Sequence, residues 1–367
     1  MSPARCVVTL AAQPNARVGH DRLSRGALAE RLAAVLGYAF GGEYDARRRY
    51  PARLYFVPKD TLLREQADAL GIRDEHDLFG GVVPHRFIAT KAITHAALDD
   101  ARALPPRWSP ALAEALRGVV LPGFSAFAAD DVQRAAARLL ALGRVRIKPA
   151  HAIGGAGQHV VGDTRAVDAT VAQLDPQATA EHGVVIELDI DAARTLSVGE
   201  LHVGATPLAY FGLQRTVADH RGDGVYGGSD LTLVRGDFGT LARHAPDADT
   251  ALAIEQARAY DAAIGAAFPD FFASRRNYDV LQGHDRQGEF VSGVLEQSWR
   301  LGGASPAEIA ALEAFKGDKR LSLLRARSVE TYGDEPLPPD ALVHYDGSDA
   351  VAGRLRKYVQ IEPPAPR

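Results

Sequence analysis

The stretch RIKPAHAIGGAGQHVV, residues 146–161, carries the densest chemical signal in the chain. An apolar run delivers Lys148, glycines follow at positions 154, 155 and 157, and a second apolar run begins at His159. Because glycine has no Cβ, backbone amides in such a turn can approach a polyphosphate closely, and a nearby lysine supplies positive charge. The pattern indicates a glycine-rich hairpin flap over a phosphate, although a plain turn with a solvated lysine explains this loop equally well.

Two better-known phosphate loops do not match this stretch. A P-loop places Lys and Ser or Thr directly after its last glycine, whereas Gln158 follows Gly157 here. A dinucleotide-binding loop places a third glycine where this chain has Val160, and it opens a helix rather than a strand. The hairpin flap is the interpretation that remains.

A second signal follows about 130 residues later, in a predicted hairpin with Asp279 on one strand and Glu296 on the other. The two-residue period of a strand places Ser298 and Arg300 on the same face as Glu296. Paired carboxylates suit Mg²⁺, which usually takes one or two of them together with phosphate oxygens. Arg300 would stabilise charge on a transferring phosphoryl group. A surface hairpin with an ordinary Glu–Arg ion pair is the competing interpretation.

Composition narrows the class of protein. The 367 residues suggest two to three domains at about 150 residues each, and the formal net charge of −4 argues against a nucleic-acid binder. The single cysteine, Cys6, excludes an intrachain disulfide and a cysteine-rich metal site. The apolar runs match neither a signal peptide nor a membrane span, so we expect a cytoplasmic protein without a membrane partner.

Local patterns indicate alternating strands and helices at the N-terminus, typical of a small parallel α/β unit. Residues 6–12 and 53–57 are predicted strands, and residues 22–36 and 60–70 are predicted helices. From about residue 195 to residue 300 strands predominate, interrupted by a predicted helix over residues 249–268.

Together the two signals resemble the ATP-grasp superfamily, whose motifs occur in a similar order. The likeness covers about residues 85–305 and includes the late pattern Glu296-x-Ser298-x-Arg300-x-Gly302-Gly303. Longer stretches are similar to an uncharacterised bacterial family within that superfamily, and this likeness spans nearly the whole chain. The stretches are GYAFGGEYD, DLFGGVVPH, YGGSDL, FFASRRNYDV and VLEQSWRLGGAS.

The resemblance implies a mixed α/β and α+β protein with the ATP-grasp fold. Two α+β lobes would enclose ATP, and a small Rossmann-like α/β domain would precede them. The implied boundaries are 1–118 for the N-terminal domain, 119–190 for the middle lobe with the flap, 191–330 for the metal-bearing lobe and 331–367 for a C-terminal extension.

The resemblance also implies roles for individual residues. ATP phosphates would be bound by Lys91 and Lys148 under the flap, adenine by Glu187 and the adjoining backbone, and Mg²⁺, or Mn²⁺ in its place, by carboxylates. Arg300 and Arg215 would be catalytic. The implied cofactor-binding residues are Lys91, Lys148, Gly154, Gly155, Gly157, Gln158, Glu187, Leu188, Asp189 and Ile190, and the implied metal ligands are Asp279, Glu296 and Ser298.

Three positions depart from the superfamily pattern. Ser298 replaces the usual asparagine ligand, and Arg194-Thr195 stands where an acidic ribose ligand is common, so that Asp189 or Asp191 would have to substitute. Asn277 stands two residues before Asp279, where several ligases have arginine.

The function implied is an ATP- and Mg²⁺-dependent ligase that joins a carboxylate to an amine or similar nucleophile through an acylphosphate. Its acceptor would be a small or peptide-like molecule, and a homodimer is compatible with the sequence. Two alternatives stay open: an ATP-grasp kinase that phosphorylates a hydroxyl, and a nucleotide-binding regulatory protein without catalysis. The loop 226–230 (YGGSD) suits a place near substrate, but a plain β-turn explains it equally well.

Overall fold

The structure is a computed structural model that describes residues 5–11, 19–152, 157–349 and 351–362. It combines parallel and antiparallel sheets with helices packed on their faces. The helices are α1 (His20–Leu36), α2 (Arg64–Ala69), α3 (Pro110–Ala115), α4 (Ala129–Leu140), α5 (Thr164–Val171), α6 (Pro176–His182), α7 (Phe238–Ala242), α8 (Ala248–Ala267) and α9 (Ser305–Gly317). The strands are β1 (Arg5–Leu10), β2 (Ala39–Glu43), β3 (Arg53–Pro58), β4 (Leu62–Leu63), β5 (Gly81–Val83), β6 (Gly123–Ala126), β7 (Val145–Pro149), β8 (His159–Val161), β9 (Val184–Leu188), β10 (Asp191–Val203), β11 (Thr206–Ala218), β12 (Gly224–Arg235), β13 (Phe272–Ala273), β14 (Arg275–His284), β15 (Phe290–Ser298), β16 (Leu323–Tyr332), β17 (Leu342–Asp349) and β18 (Gly353–Glu362).

The N-terminal unit is a parallel sheet of order β2-β1-β3, covered by α1. The apolar run of β1 is buried on both faces, as parallel strands usually are. Helix α1 stops at Gly37, whose φ of 71° suits the left-handed residue that commonly ends a helix. Because β1 and β3 run parallel, their carboxyl ends lie at the same edge of the sheet.

The middle lobe is an antiparallel sheet of order β6-β9-β7-β8, with α4 and α5 packed on it. Strands β7 and β8 form the predicted hairpin, with Val145 opposite Val161. The flap glycines Gly154 and Gly155 lie outside the described residues, whereas Gly157 lies within them.

The largest sheet has eight strands in the order β15-β14-β10-β11-β12-β16-β18-β17. Helix α8 packs on one face through residues such as Ile254 and Tyr260, and α9 packs on the other through Ile309 and Phe315. Strands β17 and β18 belong to this same sheet, and the predicted boundary at residue 330 falls inside β16.

The predicted helix over residues 60–70 is too long at its start. Leu62 and Leu63 instead form β4 and pair with Val82 and Val83 of β5, so α2 begins at Arg64. Long-range strand pairing outweighs the local helical preference here. Among the described residues, no helix is both long enough and apolar enough to cross a membrane.

His344 of β17 makes folding depend on pH. Its side chain is buried, its Nδ1 has no hydrogen-bond partner, and burial together with the charges of Lys357 and Arg31 lowers its pKa to about 3. The unfolded chain therefore binds the proton more readily between pH 6.5 and pH 3, and stability should fall as pH falls through this range. In His344→Gln, measured by thermal unfolding from pH 7 to pH 4, this fall should be smaller. The exposed His284, changed to Gln, is the control; an equal pH dependence in wild type and His344→Gln would contradict the prediction.

Candidate active site

Two buried lysines from different parts of the chain each form an ion pair with a glutamate. Lys91 begins a single 3₁₀ turn, Lys91–Thr94, and its Nζ lies 2.6 Å from Glu296 Oε2. Lys148 on β7 forms an ion pair with Glu187 on the neighbouring strand β9. The charge of Lys148 also contributes to lowering the pKa of Glu296. Both lysines that were predicted to bind phosphates thus lie beside the predicted metal site.

Asp279 and Glu296 face each other across β14 and β15. The register shifts by one residue between this pair and the pair Val280–Val294, which is a bulge of the kind often found beside active sites. Loss of water contact and the charge of Glu296 raise the pKa of Asp279. Loss of water contact also acts to raise the pKa of Glu296, but the ion pair with Lys91 and the charges of Lys148 and Arg300 together outweigh it and lower that pKa.

These two carboxylates fit a divalent cation that is also bound by phosphate oxygens. After burial, the charge of Glu296 is the next cause that raises the pKa of Asp279, and a cation between the two carboxylates would offset that repulsion. Ser298 fits less well, because the Arg275 guanidinium lies 3.4 Å from its Oγ and repels a cation. Among the described residues, no group of three or more His, Cys, Asp or Glu side chains is arranged to hold a metal.

Glu187 is held in the middle lobe by two neighbours. It is almost fully buried, which acts to raise its pKa, but Lys148 and His95 together lower the pKa to about 2. His95 Nε2 lies 3.4 Å from Glu187 Oε2. His95 was not identified from the sequence, because nothing in its local pattern sets it apart.

The backbone N–H groups that follow Glu187 differ in whether a carbonyl oxygen of the protein already accepts their hydrogen bond. The N–H of Leu188 donates to Pro122 O at 3.1 Å, and that of Asp189 donates to Arg144 O at 2.9 Å. Ile190 lies between β9 and β10. In the described part of the chain, no backbone carbonyl accepts a hydrogen bond from its N–H. Of the three predicted backbone contacts, the one at Ile190 is thus the most available.

Both candidate ribose ligands are engaged with arginines. The Asp189 carboxylate lies 2.5 Å from Arg146 and 2.9 Å from Arg144, and Asp191 lies 2.6 Å from Arg144. Arg146 also donates to Gln158 Oε1 at 3.3 Å, which ties the end of the flap to this network.

The two predicted catalytic arginines occupy different surroundings. Arg300 lines a cavity between the N-terminal unit and the ends of β7 and β15, and its Nη1 donates to the carbonyl of Leu301 at 3.0 Å. Arg215 forms an ion pair with Asp230 at 3.4 Å and lies near Ser328 O. Among the described residues, no contact joins Arg215 to the paired carboxylates, so its catalytic role stays a prediction.

Arg275 is a central residue that was not among the predicted site residues. It is almost fully buried, and its guanidinium pairs with the equally buried Glu308 of α9 at 2.8 Å. It also donates to the carbonyl oxygens of Ser298 and Arg300, at 3.1 and 2.6 Å. Arg275 therefore holds the backbone that carries Ser298 and Arg300. A pairing between residues 275 and 308 leaves no local pattern that could predict it.

Gly303 allows a tyrosine to pack against the site. A Cβ placed on Gly303 would lie 2.4 Å from the ring of Tyr226, which hydrogen-bonds Ser229 at 2.8 Å. The YGGSD loop is thus neither free nor a plain turn, because these residues belong to strand β12.

Gly303→Ala should destabilise the protein by about 1–3 kcal/mol, the usual cost of overpacking. The free energy of unfolding in urea measures it. Gly317→Ala is the matched control, since a Cβ there meets nothing within 4 Å. A cost for Gly303→Ala no larger than that of Gly317→Ala would show that the Tyr226 ring moves aside freely.

A cavity of about 660 Å³ opens beside these residues. It lies between the N-terminal unit, the end of β7 and the end of β15. Its lining includes Lys91, Glu296 and Arg300, then Lys59 and Asp60 after β3, and also His151 and His182. This volume suits a small-molecule substrate.

Solved structures with a similar arrangement are ATP-grasp enzymes. A biotin carboxylase–β,γ-ATP complex from Campylobacter jejuni matches with a TM-score of 0.51 and 13% identity, covering 98% of this chain and 88% of that one. N5-carboxyaminoimidazole synthetase from Staphylococcus aureus, complexed with ADP, matches with a TM-score of 0.52 and 10% identity, covering 99% and 95%. D-alanyl-alanine synthetase A from Vibrio cholerae O1 biovar eltor matches with a TM-score of 0.50 and 11% identity, covering 85% and 97%. The predicted ATP-grasp fold is confirmed.

The search of curated proteins gives no match. A family model does match, over residues 7–359, and its description is "Protein of unknown function (DUF3182)". This span includes the N-terminal sheet, the flap hairpin and the carboxylate pair. The chain therefore belongs to this family of unknown function, and it has the ATP-grasp fold.

Proposed function

We propose that this protein is an ATP- and Mg²⁺-dependent ligase that joins a carboxylate to an amine or similar nucleophile. The observation that carries the proposal is the meeting of Lys91 and Glu296, 2.6 Å apart, beside Asp279. These residues come from distant parts of the sequence, and each has a buried or partly buried charge that folding must hold in place. Such convergence is costly for a merely structural contact and is typical of an active site.

The site suits phosphoryl transfer better than covalent catalysis by the protein. The only cysteine, Cys6, is buried in β1, and the Ser298 hydroxyl lies against Arg275. What the site offers instead is positive charge from two lysines and Arg300, together with two carboxylates. Phosphoryl transfer depends mainly on positioning and charge neutralisation.

In the proposed reaction, a carboxylate oxygen of the acid attacks the γ-phosphorus of ATP. An O–P bond forms, the bond between the β–γ bridging oxygen and the γ-phosphorus breaks, and ADP leaves. The amine then attacks the acyl carbon of the acylphosphate and loses a proton, and inorganic phosphate departs.

Lys91 and Lys148 would hold the phosphates, and Arg300 would face the charge that develops at the acyl group. Asp279 and Glu296 would hold Mg²⁺, which when bound neutralises phosphate charge and orients the phosphate oxygens. The N–H of Ile190 would bind the adenine edge. The nucleotides in the similar biotin carboxylase and synthetase structures support ATP as a substrate.

An ADP-release screen against paired carboxylates and amines, with Mg²⁺ present, tests this function. A ligase should release ADP and free phosphate in equal amounts and only when both an acid and an amine are present. Phosphate that stays on an acceptor would instead indicate the kinase alternative. If calorimetry shows that ATP–Mg²⁺ does not bind, the proposal is wrong.

A further inference from the structure

We infer that Tyr210 and Asn277 are positioning residues, which hold the Asp279 carboxylate in the orientation that binds the cation. They do so through a chain of hydrogen bonds that begins at the buried Glu308 of α9. The inference rests on the proposed function, because it concerns the metal site of the same reaction. Neither residue was predicted to belong to that site.

Three neighbouring strands place these residues side by side. Gly199 of β10 pairs with Tyr210 of β11 on one side and with Asn277 of β14 on the other. A Cβ on Gly199 would clash with the Tyr210 phenol, so the glycine lets this side chain cross β10. The Tyr210 hydroxyl then lies 2.8 Å from Asn277 Oδ1. Gly199 thus permits a contact between two strands, β11 and β14, that are not neighbours in the sheet.

The chain of hydrogen bonds ends at the Asp279 carboxylate. Asn277 Nδ2 donates to Asp279 Oδ1 at 2.9 Å, since residues two apart in a strand point to the same face. Ser197, which pairs with Asp279 across β10 and β14, donates to the same oxygen at 3.3 Å. These two contacts fix the rotation of the carboxylate without occupying Oδ2.

The other end of the chain is anchored in the core. The Tyr210 hydroxyl lies 2.6 Å from Glu308 Oε1, and Glu308 is paired with Arg275. Burial and the charge of Glu308 raise the pKa of Tyr210, so the hydroxyl keeps its proton, which Glu308 and Asn277 share. Tyr210 is fully buried, and Asn277 is only 6% exposed. A buried and connected polar network of this kind holds a single geometry.

A fixed rotation matters because Asp279 faces a like charge. Asp279 and Glu296 lie opposite each other on β14 and β15, and two carboxylates that were free to rotate would turn apart. The contacts of Asp279 Oδ1 with Asn277 and Ser197 oppose that rotation. The pair is therefore held in place before a cation arrives. Groups that orient a metal ligand in this way contribute strongly to metal affinity.

Calorimetry with ADP as the probe tests the inference. The affinity for ADP is measured once with Mg²⁺ and once with excess EDTA, and the ratio is the gain that the cation provides. The wild-type protein should bind ADP more tightly with Mg²⁺. Tyr210→Phe should reduce the gain about 3- to 10-fold, because Asn277 loses the donor that fixes it, and should leave the affinity in EDTA unchanged.

Asn277→Leu removes the contact with Asp279 itself at a similar side-chain size. It should reduce the gain from Mg²⁺ about 10-fold or more, again with the affinity in EDTA unchanged. If this variant does not fold, Tyr210→Phe decides alone.

Tyr278→Phe is the matched control. Tyr278 is next to Asp279 and as buried as Tyr210, and its hydroxyl also donates to a carboxylate, that of Asp261 at 2.5 Å. It points to the opposite face of β14, so its loss should leave the gain from Mg²⁺ unchanged. A merely structural role for Tyr210 would lower the melting temperature of both tyrosine variants and leave the gain unchanged in both.

The outcomes separate the inference from the proposed function. Equal gains in wild type, Tyr210→Phe and a folded Asn277→Leu would overturn the inference and leave the proposed function standing. A loss of ADP affinity that is as large in EDTA as in Mg²⁺ would also overturn it, because Tyr210 would then shape the nucleotide pocket instead. Wild-type protein that binds ADP equally well with Mg²⁺ and with EDTA would overturn the Mg²⁺-dependent function, and the inference with it.

Discussion

Glu296→Gln should reduce ATP turnover by about 10³-fold, an effect of the size seen when a group that stabilises developing charge or a metal ligand is lost. The side chain keeps its size, but it no longer repels the carboxylate of Asp279 and no longer pairs with Lys91. The site would lose half of its carboxylate pair and the partner of a buried lysine. ADP release under saturating ATP–Mg²⁺ measures the effect once an acid and an amine are known.

Glu289→Gln is the matched control, because Glu289 is exposed and lies before β15 on the same hairpin. It should leave turnover unchanged. Circular dichroism and thermal unfolding should show that Glu296→Gln retains the fold. Full turnover in a folded Glu296→Gln would show that the carboxylate pair does not bind the metal.

Glu308→Ala should lower the free energy of unfolding by about 3–5 kcal/mol, the range measured when one partner of a buried ion pair is removed. Arg275 and Glu308 are each about 1% exposed or less, so the guanidinium would keep its charge without water or a carboxylate. Burial and the nearby Glu308 act in opposite directions on Arg275, and the net effect raises the pKa of the guanidinium. Urea unfolding measures the loss.

The double variant Arg275→Met with Glu308→Leu is the informative companion. Apolar residues of similar volume often replace a buried ion pair at little cost, so the double variant should recover much of the stability lost in Glu308→Ala. Its ADP release should stay low, because Arg275 holds the carbonyl oxygens of Ser298 and Arg300. Recovery of both stability and turnover would show that the ion pair plays no part in positioning these residues.

Sequence patterns predict the parts of this molecule that local periodicity and motif order encode. The hairpin of β7 and β8 follows from two apolar runs around glycines, and the facing of Asp279 and Glu296 follows from a turn between two strand-like segments. The resemblance adds the ATP-grasp architecture. The short strand β4 is missed, because it exists only through its pairing with β5.

The parts that escape sequence reasoning are contacts between distant residues. Arg275 and Arg276 are adjacent in sequence, yet one is buried against Glu308 and the other approaches Asp261 at 3.2 Å. Their different surroundings are decided by which face of β14 meets α9. His95 reaches Glu187, and Gly303 meets the ring of Tyr226, only after several sheets have packed together. No single segment contains the information for these contacts.

One of the two edge strands of the large sheet, β17, packs against α1, although nearly the whole chain lies between them. The backbone N–H of His20 donates to Asp349 at 3.1 Å. Contacts of such long sequence separation form slowly, because much chain entropy is lost before they are made. During synthesis, β16 would have an unpaired backbone edge until β18 emerges and covers it. Deletion of residues 342–362 should expose that edge permanently, and an uncovered edge strand is a template for aggregation. Strands β17 and β18 thus cover the edge of β16, and β17 in turn packs against α1.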